Sequence, residues 1–135
     1  MTDYIPQRAP MVMIDAFYGI DGQASESGLT VTPDNIFCHD GRLCDGGIIE
    51  HIAQSGAMHI GYECRQAGRP VPLGFIGSVN KLTIGRLPRV GETLRTRIVM
   101  ETKVFDITLV AATVCVGDEQ IAQCKMKVAT PENEQ

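Results

Sequence analysis

Glu50 lies between the chain's only three histidines, His39, His51 and His59, within one short stretch. Carboxylate and imidazole are the side chains best suited to moving protons near neutral pH. Their grouping makes this stretch the candidate for acid–base chemistry. Just ahead of Glu50, Gly46-Gly47 open a helical pattern. Backbone N–H groups at a helix N-terminus can polarise a substrate carbonyl, although the same pair reads equally well as an ordinary flexible lead-in turn. Gln54 follows Glu50 by one helical turn and could orient its carboxylate; the alternative is a half-exposed helix residue.

The element that must hold these groups is one long helix. Ile48, Ile52, Gly56, Ile60 and Cys64 recur every four residues, with Ile49, Ala53 and Ala57 beside them. The stripe is rich in small side chains, so another element can approach closely. Gly56 and Gly61 each cost roughly 1 kcal/mol of helix propensity, which close wrapping by a sheet would offset. At about 100° per residue, Glu50 falls near 200° on this wheel, at the border of the apolar stripe. Partial desolvation there suits a carboxylate to acid–base work. The plainer alternative is a first-turn acid that favours the helix dipole or closes a capping box. His51 points about 100° away from Glu50, toward surface or interface. His59 falls near 20°, almost opposite Glu50, and cannot meet it within one helix. His39 lies in the preceding loop, as a candidate base or as a solvated loop histidine.

Around this helix the chain alternates. Pro6–Pro10 reads as an extended or turned lead-in, and Met11–Ile20 as a strand. Asp21-Gly22 marks a hairpin turn, and Gln23–Val31 a second, weaker strand carrying Gly28 and two serines. Residues 36–45 read as a loop. The helix ends near Gln66-Ala67, with Gly68 as its left-handed stop and Pro70 and Pro72 beyond. Four strands follow: Leu73–Ile84, Thr93–Val104, Phe105–Val116 and Ile121–Ala129. In the second of these Leu94, Thr96, Ile98, Met100 and Val104 share a face, and in the last Ala122, Cys124, Met126 and Val128 point inward. Pro131–Gln135 reads as a frayed tail. One helix on one antiparallel sheet makes an α+β fold, a single domain over residues 1–135.

Composition narrows the function. Apolar residues at 44% and charged at 21% describe a globular chain. A net charge of −4 argues against nucleic acid, and no apolar run is long enough to span a membrane. No secretory leader is evident. The odd number of cysteines (five), with no CxxC pair, suits reduced thiols in a cytoplasmic protein rather than disulfides or a zinc site. No metal and no organic cofactor is expected, since ligand spacing and a phosphate-binding glycine fingerprint are both missing.

Several strings resemble the β-hydroxyacyl-acyl-carrier-protein dehydratases of the hotdog fold, in which a curved antiparallel sheet wraps a central helix. Ile5-Pro6-Gln7-Arg8-Ala9-Pro10-Met11-Val12-Met13-Ile14-Asp15 is similar to their opening L-P-H-R-x-P-x-L-L-x-D. Ile49-Glu50-His51-Ile52-Ala53-Gln54 is similar to their helix string, an acid followed by x-x-A-Q, and Arg86-Leu87-Pro88-Arg89-Val90-Gly91-Glu92 to their R-x-P-x-x-G-D turn. Asn35-Ile36-Phe37, Gly41-Arg42-Leu43 and Ala57-Met58-His59-Ile60-Gly61 bring the chain closest to the aryl polyene and pigment-pathway branch. Two departures stand out. The H-F-P-G string that carries the family's base is replaced by His39-Asp40-Gly41-Arg42, and position 7 is Gln where His is common.

The resemblance implies a hydro-lyase acting on 3-hydroxyacyl thioesters of acyl carrier protein or coenzyme A. Glu50 and His39 would be catalytic, and Gly46, Gly47, Gln54 and His59 substrate-binding. It also implies a homodimer or trimer of dimers with sites shared between subunits, which keeps His59 in play. Two rivals remain: a hotdog acyl thioesterase, in which Glu50 activates water without a His base, and a non-catalytic partner subunit of a dehydratase. Lys81, Arg86, Arg89, Arg95 and Arg97 form a basic stretch whose one acid is Glu92. It would dock an acidic carrier or a phosphopantetheine phosphate, or else form a solvated strand face.

Overall fold

The computed structural model describes residues 5, 9, 11–70 and 75–129, with only the backbone of 75–77. Gln7 and most of the proline-rich lead-in, Pro72, the start expected for the third strand at Leu73, and the tail at 131–135 lie outside the described residues. Eight strands and one helix follow in order: β1 (Ala16–Asp21), β2 (Ala24–Thr30), β3 (Cys38–His39), β4 (Arg42–Leu43), α1 (Asp45–Gln66), β5 (Phe75–Ile84), β6 (Thr93–Val104), β7 (Ile107–Val116) and β8 (Glu119–Ala129). Six of the strands form one antiparallel sheet in the order β1-β2-β6-β7-β8-β5. The core lies between this sheet and α1, where Ile48 and Ile52 meet Leu94, Ile98, Val110 and Met126. This is the α+β hotdog arrangement.

The helix ends as its sequence suggests. Gly68 takes φ 71°. Its N–H donates to the Arg65 carbonyl at 3.1 Å, and Arg69 N–H donates to the Cys64 carbonyl at 2.8 Å, the pair of bonds that closes a left-handed glycine stop. The glycine-rich face is used for close approach, since a Cβ at Gly56 would stand 3.2 Å from Met126 Cε.

Several details differ from the sequence expectation. Residues 11–15 are not strand. They form a strap whose Ile14 packs on Met58, with Val12 and Ala57 beside them, so the helix is covered from a second side. The buried face of α1 is accordingly rotated: His51, Gln54, Ser55, Met58 and His59 are buried, while Ile49, Ala53, Ala57 and Ile60 are only half-buried. β2, the weaker strand of the sequence reading, lies inside the sheet, with Ser25 and Ser27 buried. Finally, the stretch at 36–45 contains the β3–β4 hairpin, turning through Asp40 (φ 54°) and Gly41 (φ 77°). In β6 the alternation holds to Ile98. An irregularity between Met100 and Thr102 then breaks it, leaving Val104 exposed.

The lead-in to the helix is fixed from outside. Leu43 N–H donates to the Pro88 carbonyl, Val90 N–H to the Gly41 carbonyl, and Arg42 Nη1 to the Leu87 carbonyl. The turn that receives them is itself clamped, because the Arg86 guanidinium bonds both Glu92 and Glu119.

Candidate active site

The helix begins at Asp45 with Cys44 as its N-cap. Glu50 is therefore in the second turn, too far along to close a capping box, and the first-turn acid is Asp45. Glu50 is half-buried on the flank of α1 that also carries Ala53 and Ala57. Gln54 Nε2 donates to Glu50 Oε2 at 2.8 Å. No described residue bonds the other oxygen, Oε1.

Gln54 is fully buried rather than half-exposed, and both its N–H donors and its carbonyl oxygen are engaged. Oε1 accepts the Met13 N–H at 2.6 Å. Nε2 donates to the Met11 carbonyl at 2.7 Å as well as to Glu50. The amide thus stands in for a missing strand: residues 11–13 have no sheet partner, and the helix side chain satisfies their backbone.

The glycine pair divides into two roles. Gly47 is buried, its N–H donates to the Cys44 carbonyl, and a Cβ there would lie 2.7 Å from both Leu43 Cδ1 and Phe37 Cβ. It is a glycine of close packing. Gly46 has room for a side chain, and its N–H meets Asp45 Oδ1 at 2.9 Å.

The histidines separate widely. His39 stands on the β3–β4 hairpin with its side chain 85% exposed; its polar contact is Asp40, 3.5 Å from Nε2. Among the described residues nothing links it to Glu50. His51 is not at the surface but fully buried. Its Nδ1 is 2.7 Å from the Met13 carbonyl, which can only accept, so Nδ1 carries the proton and Nε2 accepts from the Thr96 hydroxyl at 2.7 Å. Burial pushes its pKa down to about 4, against the smaller upward pull of the Met13 bond and Asp15. His59 is also fully buried, on the sheet side of the helix away from Glu50, with Nδ1 2.7 Å from Ser25 Oγ. Its Nε2 is 3.5 Å from Glu63, short of a hydrogen bond. Burial lowers its pKa, with Glu63 opposing.

The basic stretch is largely neutralised. Arg86 pairs with Glu92 and Glu119, while Arg95 and Arg97 reach Glu26. Arg95 also stacks on Tyr18, 3.6 Å from the ring centre. The Arg86 and Arg89 contacts hold the Glu92 carboxyl well below its ordinary range, at about 2. Among the described residues no group of three or more acidic, His or Cys side chains is arranged to hold a metal, and no helix is long and apolar enough to cross a membrane.

One helix packed on one antiparallel sheet, here with a glutamate on that helix held by a glutamine one turn on, is a hotdog protein. The chain belongs to the ApeP-like family of ApeP dehydratases, whose pattern it matches over residues 1–135. Among solved structures, it is similar to a chain of the dehydratase heterocomplex ApeI:P from Xenorhabdus doucetiae. The TM-score is 0.90 at 17% identity, covering 97% of this chain and 90% of that one. It is also similar to the Escherichia coli PaaI protein of the phenylacetic acid degradation operon (TM-score 0.68, 11% identity, 88% and 80% covered). A third likeness is to smu.793 of Streptococcus mutans, solved with acetyl-CoA bound (TM-score 0.68, 13% identity, 89% and 90% covered). No curated protein sequence matches the chain.

Proposed function

We propose that the protein removes water from 3-hydroxyacyl thioesters of an acyl carrier protein or coenzyme A, and that Glu50 is its proton-handling residue. The observation that carries this reading is the setting of the Glu50 side chain: one oxygen is fixed by the buried Gln54 amide, and the other has no partner among the described residues, on a half-buried flank that also carries Ala53 and Ala57. A base takes a proton from the carbon next to the thioester carbonyl, the double bond forms, and Glu50 Oε1 protonates the departing hydroxyl as water. Both glycine N–H groups are engaged, but the Gly46 N–H is held by the exposed Asp45 side chain, which can rotate away, whereas Gly47 N–H is bonded to the fixed Cys44 carbonyl; Gly46 is therefore the donor that a thioester oxygen could take over.

His39 is the candidate base. Its exposure and its separation from Glu50 mean that it would enter the site from a second copy of the chain. A homodimer, or a trimer of dimers, is therefore part of the proposal. If His39 does not reach Glu50, the carboxylate alone can activate water, and the thioesterase reading is favoured by that same exposed position.

The test offers 3-hydroxyacyl, enoyl and saturated thioesters side by side and follows products by mass spectrometry. Glu50→Gln keeps shape and removes the titrating oxygen, so turnover falls about a hundredfold or more with the melting temperature little changed. His39→Ala then separates the readings: a comparable fall supports elimination, and retained hydrolysis of saturated thioesters supports the thioesterase. Full activity of Glu50→Gln on every thioester would remove Glu50 from the site.

A further inference from the structure

We propose that His51 is a positioning residue for Glu50, acting through the strap at 11–15 and Gln54; this rests on the reading of Glu50 given above. The chain of contacts is continuous. Thr96 on β6 donates to His51 Nε2, His51 Nδ1–H donates to the Met13 carbonyl, Met13 N–H donates to Gln54 Oε1, and Gln54 Nε2 donates to Glu50 Oε2. Every link is between 2.6 and 2.8 Å. The same residue, Met13, is gripped on both its N–H and its carbonyl by two side chains of the helix, three positions apart.

Among the described residues the strap makes its hydrogen bonds to α1 through His51 and Gln54, whose Nε2 also holds the Met11 carbonyl. Its neighbouring backbone bond, Asp15 N–H to the Gly28 carbonyl, ties it to β2 and not to α1. If the Met13 carbonyl loses its donor, the strap can shift on the helix surface, and Gln54 shifts with it because both ends of its amide are bonded to that strap. The oxygen of Glu50 that Gln54 fixes then loses its bearing. Linked bonds in a buried site reinforce one another, so the loss of one is felt along the chain. Small displacements of a reacting group are costly to rate.

Two substitutions separate positioning from simple core support. In His51→Asn the amide N–H falls where Nδ1–H was and keeps the Met13 bond. In His51→Gln the N–H reaches the Nε2 position instead, toward Thr96, and the Met13 carbonyl is orphaned. Both remove the ring, so both lower the melting temperature, and a structural role alone would treat them alike. The expected result is a split in kcat: His51→Gln falls about tenfold below wild type while His51→Asn stays within about threefold, with KM unchanged in both. Amide hydrogen exchange at Met13 gives a readout free of catalysis, and it should be faster in His51→Gln than in His51→Asn. Equal kcat in the two variants, with Glu50→Gln inactive, overturns the role of His51 and leaves Glu50 standing. Equal Met13 exchange in the two overturns the linkage itself. An active Glu50→Gln overturns the underlying reading instead.

Discussion

At the scale of single residues, the site is a case of polar groups buried with their partners. Glu50 and Gln54 were legible as a pair because helical spacing alone brings positions four apart together. The burial of His51 was not, because its partners, Met13 and Thr96, are 38 and 45 residues away in the chain. The same holds for His59 and Ser25, separated by 34. His51, Ser55 and His59 recur at four-residue spacing, but polar residues at that spacing ordinarily mark the solvent face; here His51 meets Thr96 and His59 meets Ser25 of the sheet, while Ser55 donates to the His51 carbonyl. This burial has a consequence for pH. His51 titrates near 6.5 when unfolded and at about 4 when folded, so the unfolded chain binds more protons between those values. Its contribution is fully present above pH 6.5 and is lost as pH falls toward 4, by about 3 kcal/mol at most. Burial of His59 acts in the same direction. The Glu92 carboxyl, held at about 2, is lost only below the ordinary carboxylate range. Urea midpoints measured from pH 7.5 to 4.5 should therefore fall in wild type and fall less in His51→Asn; parallel curves would mean that the buried ring does not titrate as described.

At the scale of elements, what the sequence revealed was where the helix and most strands lie; what it hid was what fixes them. The glycine stop after α1 and the inward positions of β8 follow from local rules. The strap was read as strand because Met11–Ile14 is apolar. Its hydrogen bonds go to helix side chains instead, and no periodicity encodes that choice. The two glycines that open the helix look alike in sequence and are distinguished only by what surrounds them. At Gly47 a methyl group would collide with Leu43 and Phe37 at 2.7 Å, and Phe37 Cβ, close to the backbone, has little freedom to yield. At Gly46 the nearest atoms, on Cys44 and Phe37, are 3.8 Å away. Gly47→Ala should lower stability by about 1–3 kcal/mol through overpacking. Gly46→Ala should raise it by about 0.4–1 kcal/mol by restricting the unfolded chain. Thermal melts of the two variants beside wild type decide this, and equal melting temperatures would refute the division.

At the scale of the whole molecule, the order of one hairpin, one helix and four strands was enough to give the fold class. It did not give the strand order, in which β5 follows the helix yet pairs with the last strand, β8, at the far edge of the sheet. Nor did it give the rotation of the helix, which leaves Ile49, Ala53, Ala57 and Ile60 half-buried on the flank that carries Glu50. An apolar flank on the helix is a natural surface for a second subunit, and among the described residues no further strand pairs with the outer edges of β1 and β5. Light scattering at micromolar concentration should show a dimer or a multiple of dimers; a monomer would remove the shared-site argument. A sharper test mixes subunits. His39→Ala and Glu50→Gln are each expected to be inactive alone. If His39 of one copy serves Glu50 of the other, subunits that reassort at random form mixed dimers holding one intact site and one doubly damaged site. Half the dimers are mixed and each regains one site of two, so activity returns to about a quarter of wild type. If each site were built within one subunit, every site in the mixture would keep one lesion and no activity would return. Recovery near a quarter therefore places His39 opposite Glu50 across the interface, and no recovery, with reassortment verified by mass spectrometry, assigns the base elsewhere.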